Sequence, residues 1–308
     1  MKTDTVLLSG GSGFIGSHIA EILSSNHYKV LILIRNQTDL WRLNEIRNKN
    51  HILVNLDVPG FKNEIQKHSP TCFIHSAWQG VKATERENWT IQAQNIMFTL
   101  EMLSLSNLLG INKIIALGSQ AEYGKVEGRI SEDTNCNPTT AYGAAKVATQ
   151  LLLKSFCETH NINWFWLRTF SLYGERENES WLIPSLIKNI LSAKPMDLTA
   201  CEQRYDYMYA GDFSKAIIKT IETKSSSGIF NLSSNSSIVL KDIISQIQNY
   251  IRFDSILNFG ALPYRTNQVM HIEGNSTKFI ERFDVELNAN IENMLSKVVN
   301  YYKLKFNS

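Results

Sequence analysis

Thr5-Val6-Leu7-Leu8-Ser9-Gly10-Gly11-Ser12-Gly13-Phe14-Ile15-Gly16-Ser17 stands almost at the start of the chain, and the rest is read outward from it. A short apolar run is followed at once by four glycines in seven positions, and these by an amphipathic stretch through Ser25. The glycines satisfy both GxGxxG (Gly11, Gly13, Gly16) and GxxGxxG (Gly10, Gly13, Gly16). A tight strand-to-helix turn of this kind lets a pyrophosphate approach the backbone and meets it with the unpaired N–H groups of a helix start. Any tight turn can use glycine; the pattern carries weight here because a strand precedes it and a helix follows. Phe14 and Ile15, opening that helix, join Gly10, Gly13 and Gly16 as candidate dinucleotide contacts.

Further short apolar runs follow at Lys29–Ile34, Ile52–Asn55, Thr71–His75, Lys113–Leu117 and Trp164–Arg168. Most are rich in Val, Ile and Leu without clean alternation, as parallel strands covered on both faces should be. Helical patterns fill the gaps at Phe14–Ser25, Leu40–Asn48, about Gly60–His68, Thr90–Leu109 and Ala141–Thr159. The alternation predicts an α/β fold with a Rossmann-type, doubly wound parallel sheet. After Arg168 the loops lengthen, and helical patterns near Ile183–Leu191, Phe213–Glu222 and Lys241–Tyr250 are separated by irregular segments. Residues 1–168 are therefore expected to form the dinucleotide-binding domain. Residues 169–308 should form a smaller C-terminal α/β part over the carboxyl edge of the sheet, with some segments returning to it.

The 308 residues are 43% hydrophobic and 19% charged with a formal net charge of +2, which gives no electrostatic case for nucleic acid or a membrane surface. The four cysteines (Cys72, Cys136, Cys157, Cys201) form no CxxC pair and no dense framework, so reduced thiols and no metal site are expected. No apolar run approaches membrane-spanning length, and the start of the chain has no signal-peptide core. A cytoplasmic protein is the expectation.

Tyr142-Gly143-Ala144-Ala145-Lys146 puts a phenol and an ammonium four residues apart, on one face of a helix. An unperturbed phenol ionises near pH ~10, too high for efficient proton transfer at neutrality, and a nearby cation lowers that value. Ser119 stands at the carboxyl end of a central strand, where its hydroxyl can bond a substrate oxygen. YxxxK and a strand-end serine are each common by chance; together with the glycine turn, in this order, they mark a catalytic constellation. At the end of the second strand, where NAD sites usually carry an acid, the chain reads Leu33-Ile34-Arg35-Asn36. Arg35 can stack on adenine or pair with a 2′-phosphate, which favours NADP(H) over NAD; a solvated loop arginine is the competing reading.

The chain resembles the extended short-chain dehydrogenase/reductase family of nucleotide-sugar epimerases, dehydratases and reductases over nearly its whole length. The matching positions are Gly10–Gly16, Asp57-Val58, His75-Ser76-Ala77, Asn95, Ser119 with Tyr123-Gly124, and Tyr142 with Lys146. The resemblance implies that Asp57 and Val58 lie near adenine and Ala77 near the cofactor, that Lys146 also holds the nicotinamide ribose, and that Asn95 is structural. Arg168-Thr169-Phe170-Ser171-Leu172-Tyr173-Gly174 resembles R-x-F-N-x-Y-G, with Ser171 in place of the asparagine. Gln203–Tyr209 with Asp212, and Leu262-Pro263-Tyr264-Arg265, resemble segments whose arginines reach the nucleotide diphosphate, here Arg204 and Arg265. Gln79 and Trp181 are further candidate sugar contacts, with Trp78 beside them. In this family two long helices, here Thr90–Leu109 and Ala141–Thr159, pair across a two-fold axis as a four-helix bundle, which implies a homodimer; Ile96, Phe98, Leu100, Met102 and Leu103 allow that or core packing.

The implied chemistry is hydride transfer at a sugar carbon, usually C4, with Tyr142 exchanging the proton, Ser119 holding the same oxygen and Lys146 tuning the phenol. Dehydratases of the family carry T-D-E where this chain has Ser119-Gln120-Ala121, and C3/C5 epimerising reductases carry a cysteine at the place of Ala121. Both activities are therefore disfavoured, and Glu122 reads as structural or solvated as readily as catalytic. An NADP(H)-dependent 4-ketoreductase of a nucleotide-linked deoxysugar is the leading expectation. An NAD-dependent 4-epimerase is the alternative, and a non-catalytic NADP-binding regulator the third reading.

Overall fold

The computed structural model describes residues 4–47, 50–224, 226–251, 256–266, 268–287 and 291–307. The first half runs β1 (Thr5–Ser9), α1 (Phe14–Ser25), β2 (Lys29–Ile34), α2 (Trp41–Asn44), β3 (His51–Asn55), α3 (Phe61–Gln66), β4 (Cys72–His75), α4 (Trp89–Leu108) and β5 (Lys113–Ser119). It continues through β6 (Gly128–Ile130), α5 (Ala141–Thr159), β7 (Asn163–Thr169) and β8 (Ser171–Tyr173). The second half adds α6 (Leu182–Leu191), β9 (Met196–Asp197), β10 (Arg204–Tyr209), α7 (Ala210–Glu222), β11 (Gly228–Leu232) and β12 (Ser237–Val239). It closes with α8 (Leu240–Ile251), β13 (Leu257–Asn258), β14 (His271–Gly274), α9 (Thr277–Phe283) and α10 (Ile291–Asn307).

Seven strands form one parallel sheet in the order β3-β2-β1-β4-β5-β7-β11. The order reverses between β1 and β4, so the crevice beyond their carboxyl ends is where ligands bind in such sheets. Every residue of β1 and β4 is buried, which is why these strands read as unbroken apolar runs. One face of the sheet packs on α1, α7 and α9 through Ile19, Leu23, Phe213, Ile217 and Phe279. The other packs on α4 and α5 through Met102, Leu103, Leu105 and Leu153. Each such Leu, Ile or Phe contributes roughly 1.5–3 kcal/mol by leaving water.

A second sheet, β12-β10-β14-β6 with β8 on β10, stands beyond the carboxyl ends. Beside it a separate core gathers Leu186 and Ile187 of α6, Ile243 and Ile247 of α8, and Val298 and Tyr302 of α10. The chain crosses between the sheets in both directions: β6, early in sequence, pairs with β14, while β11, late in sequence, pairs with β7.

One expectation is corrected. The helix expected over Leu40–Asn48 is a single turn, Trp41–Asn44, and Asn48 lies outside the described residues. Leu43 and Ile46 are buried against the α1 side of the core, and Leu40 packs beside them. Their helical spacing reflects that packing, while the backbone leaves the helix after Asn44. Among the described residues no helix is long and apolar enough to cross a membrane.

Candidate active site

The glycine turn has the shape its sequence predicts. Gly10 adopts φ +73°, and a Cβ there would lie 2.5 Å from the backbone nitrogen of Ala77; one on Gly16 would lie 2.0 Å from the Gly10 carbonyl oxygen. Only glycine permits these approaches. α1 is capped by Gly13, which offers no side-chain hydrogen bond, and has no acidic residue in its first turn, so its N–H groups and partial positive charge are left for an anion. A pyrophosphate fits this cradle, with Phe14 and Ile15 half-buried on the first turn. Behind it, Thr99 donates its hydroxyl proton to Asn95 O (2.8 Å), so His75 Nε2 donates to Thr99 Oγ1 (2.9 Å) and His75 Nδ1 accepts from Ser9 (2.8 Å). That relay ties β1, β4 and α4 together beside Ala77. Burial holds the His75 pKa down at about 3, with Lys146 adding to the effect, so the imidazole is neutral.

At the far end of the cradle, Asp57 accepts from Arg35 Nη1 (3.2 Å) and from the backbone N–H of Asn36 (2.8 Å). Val58 is exposed beside it, and the Arg35 guanidinium stands 5.6 Å from the Phe98 ring centroid. Arg35, Asp57 and Val58 thus cluster together beyond the ends of β2 and β3.

At the other end, Ser119, Tyr142 and Lys146 converge, all three buried. Ser119 ends β5, and α5 starts at Ala141 because Thr140 caps it, its hydroxyl accepting from Gly143 N at 3.1 Å. Lys146 follows Tyr142 by one turn; its Nζ donates to Leu117 O (2.8 Å) and sits 3.5 Å from the Trp78 ring centroid and 5.9 Å from that of Tyr142. Burial brings the ammonium down from 10.5 to about 7, against the pull of Glu122 in the other direction. Burial raises the Tyr142 phenol; the Ser119 hydroxyl and Arg86 pull it back, and Glu122 opposes them.

Glu122 is fully buried directly beneath Ser119. Its carboxylate accepts from Ser119 N (2.8 Å), Trp166 Nε1 (2.9 Å) and Arg168 Nε (2.7 Å). Arg168 also donates to the Tyr123 hydroxyl (2.9 Å), which donates to Asn231 Oδ1 (2.6 Å). Both oxygens of this carboxylate are engaged by donors within the protein.

The remaining sequence candidates differ in their surroundings. The Gln79 side chain is exposed while its backbone N–H donates to Asn95 Oδ1 (2.9 Å), the structural part expected of Asn95. Ser171 is half-buried on β8, and Trp181, 38% exposed, precedes the first turn of α6. Arg204 is exposed and donates to Ser237 O (3.2 Å), and Arg265 is exposed in the segment after β13. One neighbour of Tyr142 escaped the sequence reading, Arg86, 5.1 Å from its ring; Trp78, read above beside the candidate sugar contacts, is found covering Lys146. No motif flags either contact, because both reach α5 across long stretches of chain. Among the described residues no cluster of His, Cys, Asp and Glu could hold a metal.

Comparison with known proteins agrees with this geometry. Residues 6–233 match the model of the NAD dependent epimerase/dehydratase family. The chain is 24% identical to CDP-abequose synthase from Salmonella muenchen, with 96% of each covered. It is 27% identical to dTDP-4-dehydro-6-deoxyglucose reductase from Escherichia coli, over 86% of this chain and 87% of that one. The fold superimposes on UDP-N-acetylglucosamine 4-epimerase from Methanobrevibacter ruminantium M1 with a TM-score of 0.88 at 24% identity, covering 99% of this chain and 100% of the other. With its parallel sheet, its glycine cradle and the family's own pattern across three quarters of its length, this chain belongs to the NAD-dependent epimerase/dehydratase family of extended short-chain dehydrogenases/reductases.

Proposed function

We propose that the protein is an NADP(H)-dependent 4-ketoreductase of a nucleotide-linked deoxysugar. The observation that carries this reading is that the Tyr142 phenol stands beside Ser119 while the neighbouring Glu122 carboxylate is committed elsewhere. Glu122, the nearest carboxylate, is spent on Ser119, Trp166 and Arg168, and Ala121 has nothing to offer. One proton-transfer group suits oxidoreduction at a single carbon. Elimination of water needs a second acid or base.

The reduced nicotinamide, when bound, supplies the hydride. The protein then has the proton to handle: Tyr142 gives it to the oxygen developing negative charge at C4, and Ser119 donates a hydrogen bond to the same oxygen. Lys146 steadies the phenolate that remains and holds the cofactor ribose. The preference for NADP(H) is supported by the end of β2, which carries Arg35-Asn36 and no carboxylate. The Arg35–Asp57 pair is solvent-exposed, and exposed pairs are worth ~1 kcal/mol or less, so the guanidinium is free to turn to a 2′-phosphate. Residues 169–308 bear most of the proposed sugar-nucleotide contacts, Ser171, Trp181, Arg204 and Arg265, and Gln79 is the one proposed from the first half. The two relatives above, one named for a 4-dehydro-6-deoxyglucose reductase, support the substrate class.

The test is oxidation of NADPH and NADH with a panel of freshly made nucleotide-linked 4-keto-6-deoxy sugars. Consumption of NADPH is expected, with Tyr142→Phe slower by about 10²–10⁴-fold. Interconversion of ordinary sugar nucleotides by enzyme that retains NAD, without NADPH consumption, would replace this reading by the 4-epimerase. Tight NADPH binding with no turnover of either kind would leave a binding protein.

A further inference from the structure

We propose that Arg86 is a positioning residue for Tyr142, a fixed second cation that holds the phenol toward its ionised form. The idea rests on the reading above only in putting Tyr142 at the reacting atoms.

Arg86 lies in the loop between β4 and α4, and two hydrogen bonds fasten that loop to the start of α5. The Tyr142 N–H donates to the Arg86 carbonyl (2.9 Å), and the Ala141 N–H donates to the Glu87 carboxylate (3.2 Å). These are the first two N–H groups of the helix, which have no partner inside it. Arg86 Nε donates in turn to Val81 O (3.0 Å), which fixes the guanidinium, and its carbon stands 5.1 Å from the Tyr142 ring centroid. A half-buried arginine over the phenol is thus held at both its backbone and its side chain.

The charged and titratable groups facing Tyr142 come from every element around it. Glu122, after β5, disfavours the phenolate and the Ser119 hydroxyl favours it; Lys146, on α5 itself, stands 5.9 Å from the ring centroid; Glu87, next to Arg86, holds the Ala141 N–H. Lys146, however, is buried under Trp78 and loses its charge as the pH passes about 7. A guanidinium does not discharge in that range. Arg86 therefore maintains a positive field on the phenol under conditions in which the lysine charge is fading.

The experiment follows the phenol directly. Enzyme labelled with ¹³C at the tyrosine ζ carbon and saturated with NADP⁺ is titrated by NMR, the Tyr142 resonance being the one lost in Tyr142→Phe. Arg86→Gln is expected to raise the Tyr142 pKa by about 0.5–1 unit, the size of a charge ~5–6 Å away at high effective dielectric. The pH limb of kcat that belongs to Tyr142 moves up by the same amount, whichever direction the C4 reaction runs. Arg86→Lys keeps the charge and is expected to stay within a few tenths of wild type. An unmoved resonance and limb in Arg86→Gln, or equal shifts in Arg86→Lys and Arg86→Gln, overturn the proposal in favour of a purely structural loop anchor. Because the NMR titration needs no substrate, a wrong assignment of the reaction would show as missing turnover and leave this result intact.

Discussion

Two left-handed glycines show how differently one residue type can be constrained. Gly60 has φ +88° and open space where a Cβ would go, whereas Gly10 has φ +73° and the backbone of Ala77 at 2.5 Å. Gly60→Ala should cost about 1 kcal/mol of backbone strain and leave cofactor affinity unchanged. Gly10→Ala must push β1 and β4 apart, so dinucleotide binding measured by calorimetry should be lost together with several degrees of melting temperature. Equal effects of the two substitutions would contradict the cradle described above. His75 carries a second expectation. Its folded pKa is about 3 against 6.5 when unfolded, so between those values the unfolded chain takes up a proton that the folded chain refuses. Stability is therefore full above about pH 6.5 and falls as the solution is acidified, by roughly 3 kcal/mol at pH 4 from this group alone. Urea midpoints at pH 7, 5.5 and 4 in wild type and His75→Asn measure it, the variant having the shallower loss. These residue-level features were legible in part. Spacing alone singled out Gly10, Ser119, Tyr142 and Lys146, because each belongs to a pattern a few residues long. Arg86 and Trp78 belong to none, and nothing in the sequence reports a side chain that meets its partner 56 or 68 residues away.

At the level of elements, the short helical turn after β5 is fixed by its own cap, Ser119 Oγ accepting from Ala121 N (3.2 Å) and Glu122 reaching back to Ser119 N (2.8 Å). The same carboxylate meets Arg168 at the end of β7, so one buried ion pair aligns the ends of adjacent strands under Ser119. Breaking such a pair on one side leaves an uncompensated buried charge, which costs about 3–5 kcal/mol. Glu122→Leu is expected to fall in that range in denaturant titrations, and Glu122→Leu/Arg168→Met to recover a substantial part of it. If the double variant is as unstable as the sum of the singles, the pair is not coupled as described. The central strands of the main sheet, β1, β2, β4, β5 and β7, could be read from sequence because burial on both faces makes them near-continuous apolar runs. β6, β12, β13 and β14 could not, since two to four residues become a strand only by pairing with distant partners. The α2 region misled for the converse reason: Leu40, Leu43 and Ile46 are spaced like a helix face but are buried by an irregular chain.

Across the whole molecule, α4 and α5 pack side by side and leave Met97, Leu108, Leu151 and Leu152 between 41% and 70% exposed. We propose that this face is covered by a second copy in a four-helix bundle. Sedimentation at micromolar concentration is expected to give about twice the 35.1 kDa chain mass, and Met97→Asp/Leu151→Asp to give the monomer. A wild-type monomer at that concentration would remove the bundle.

The two-way traffic between the sheets has a consequence for how such chains can be recombined. β6 is lent forward to the second sheet and β11 is returned to the edge of the first, on β7. During synthesis the backbone edge of β7 therefore waits, unpaired, until residues 228–232 have left the ribosome. A chimera spliced with a relative near residue 168 would place a foreign strand on that edge and strand its own β6 against a foreign β14. The two halves are thus inherited as one interlaced unit, which side chains and loops can change far more readily than exchange of halves.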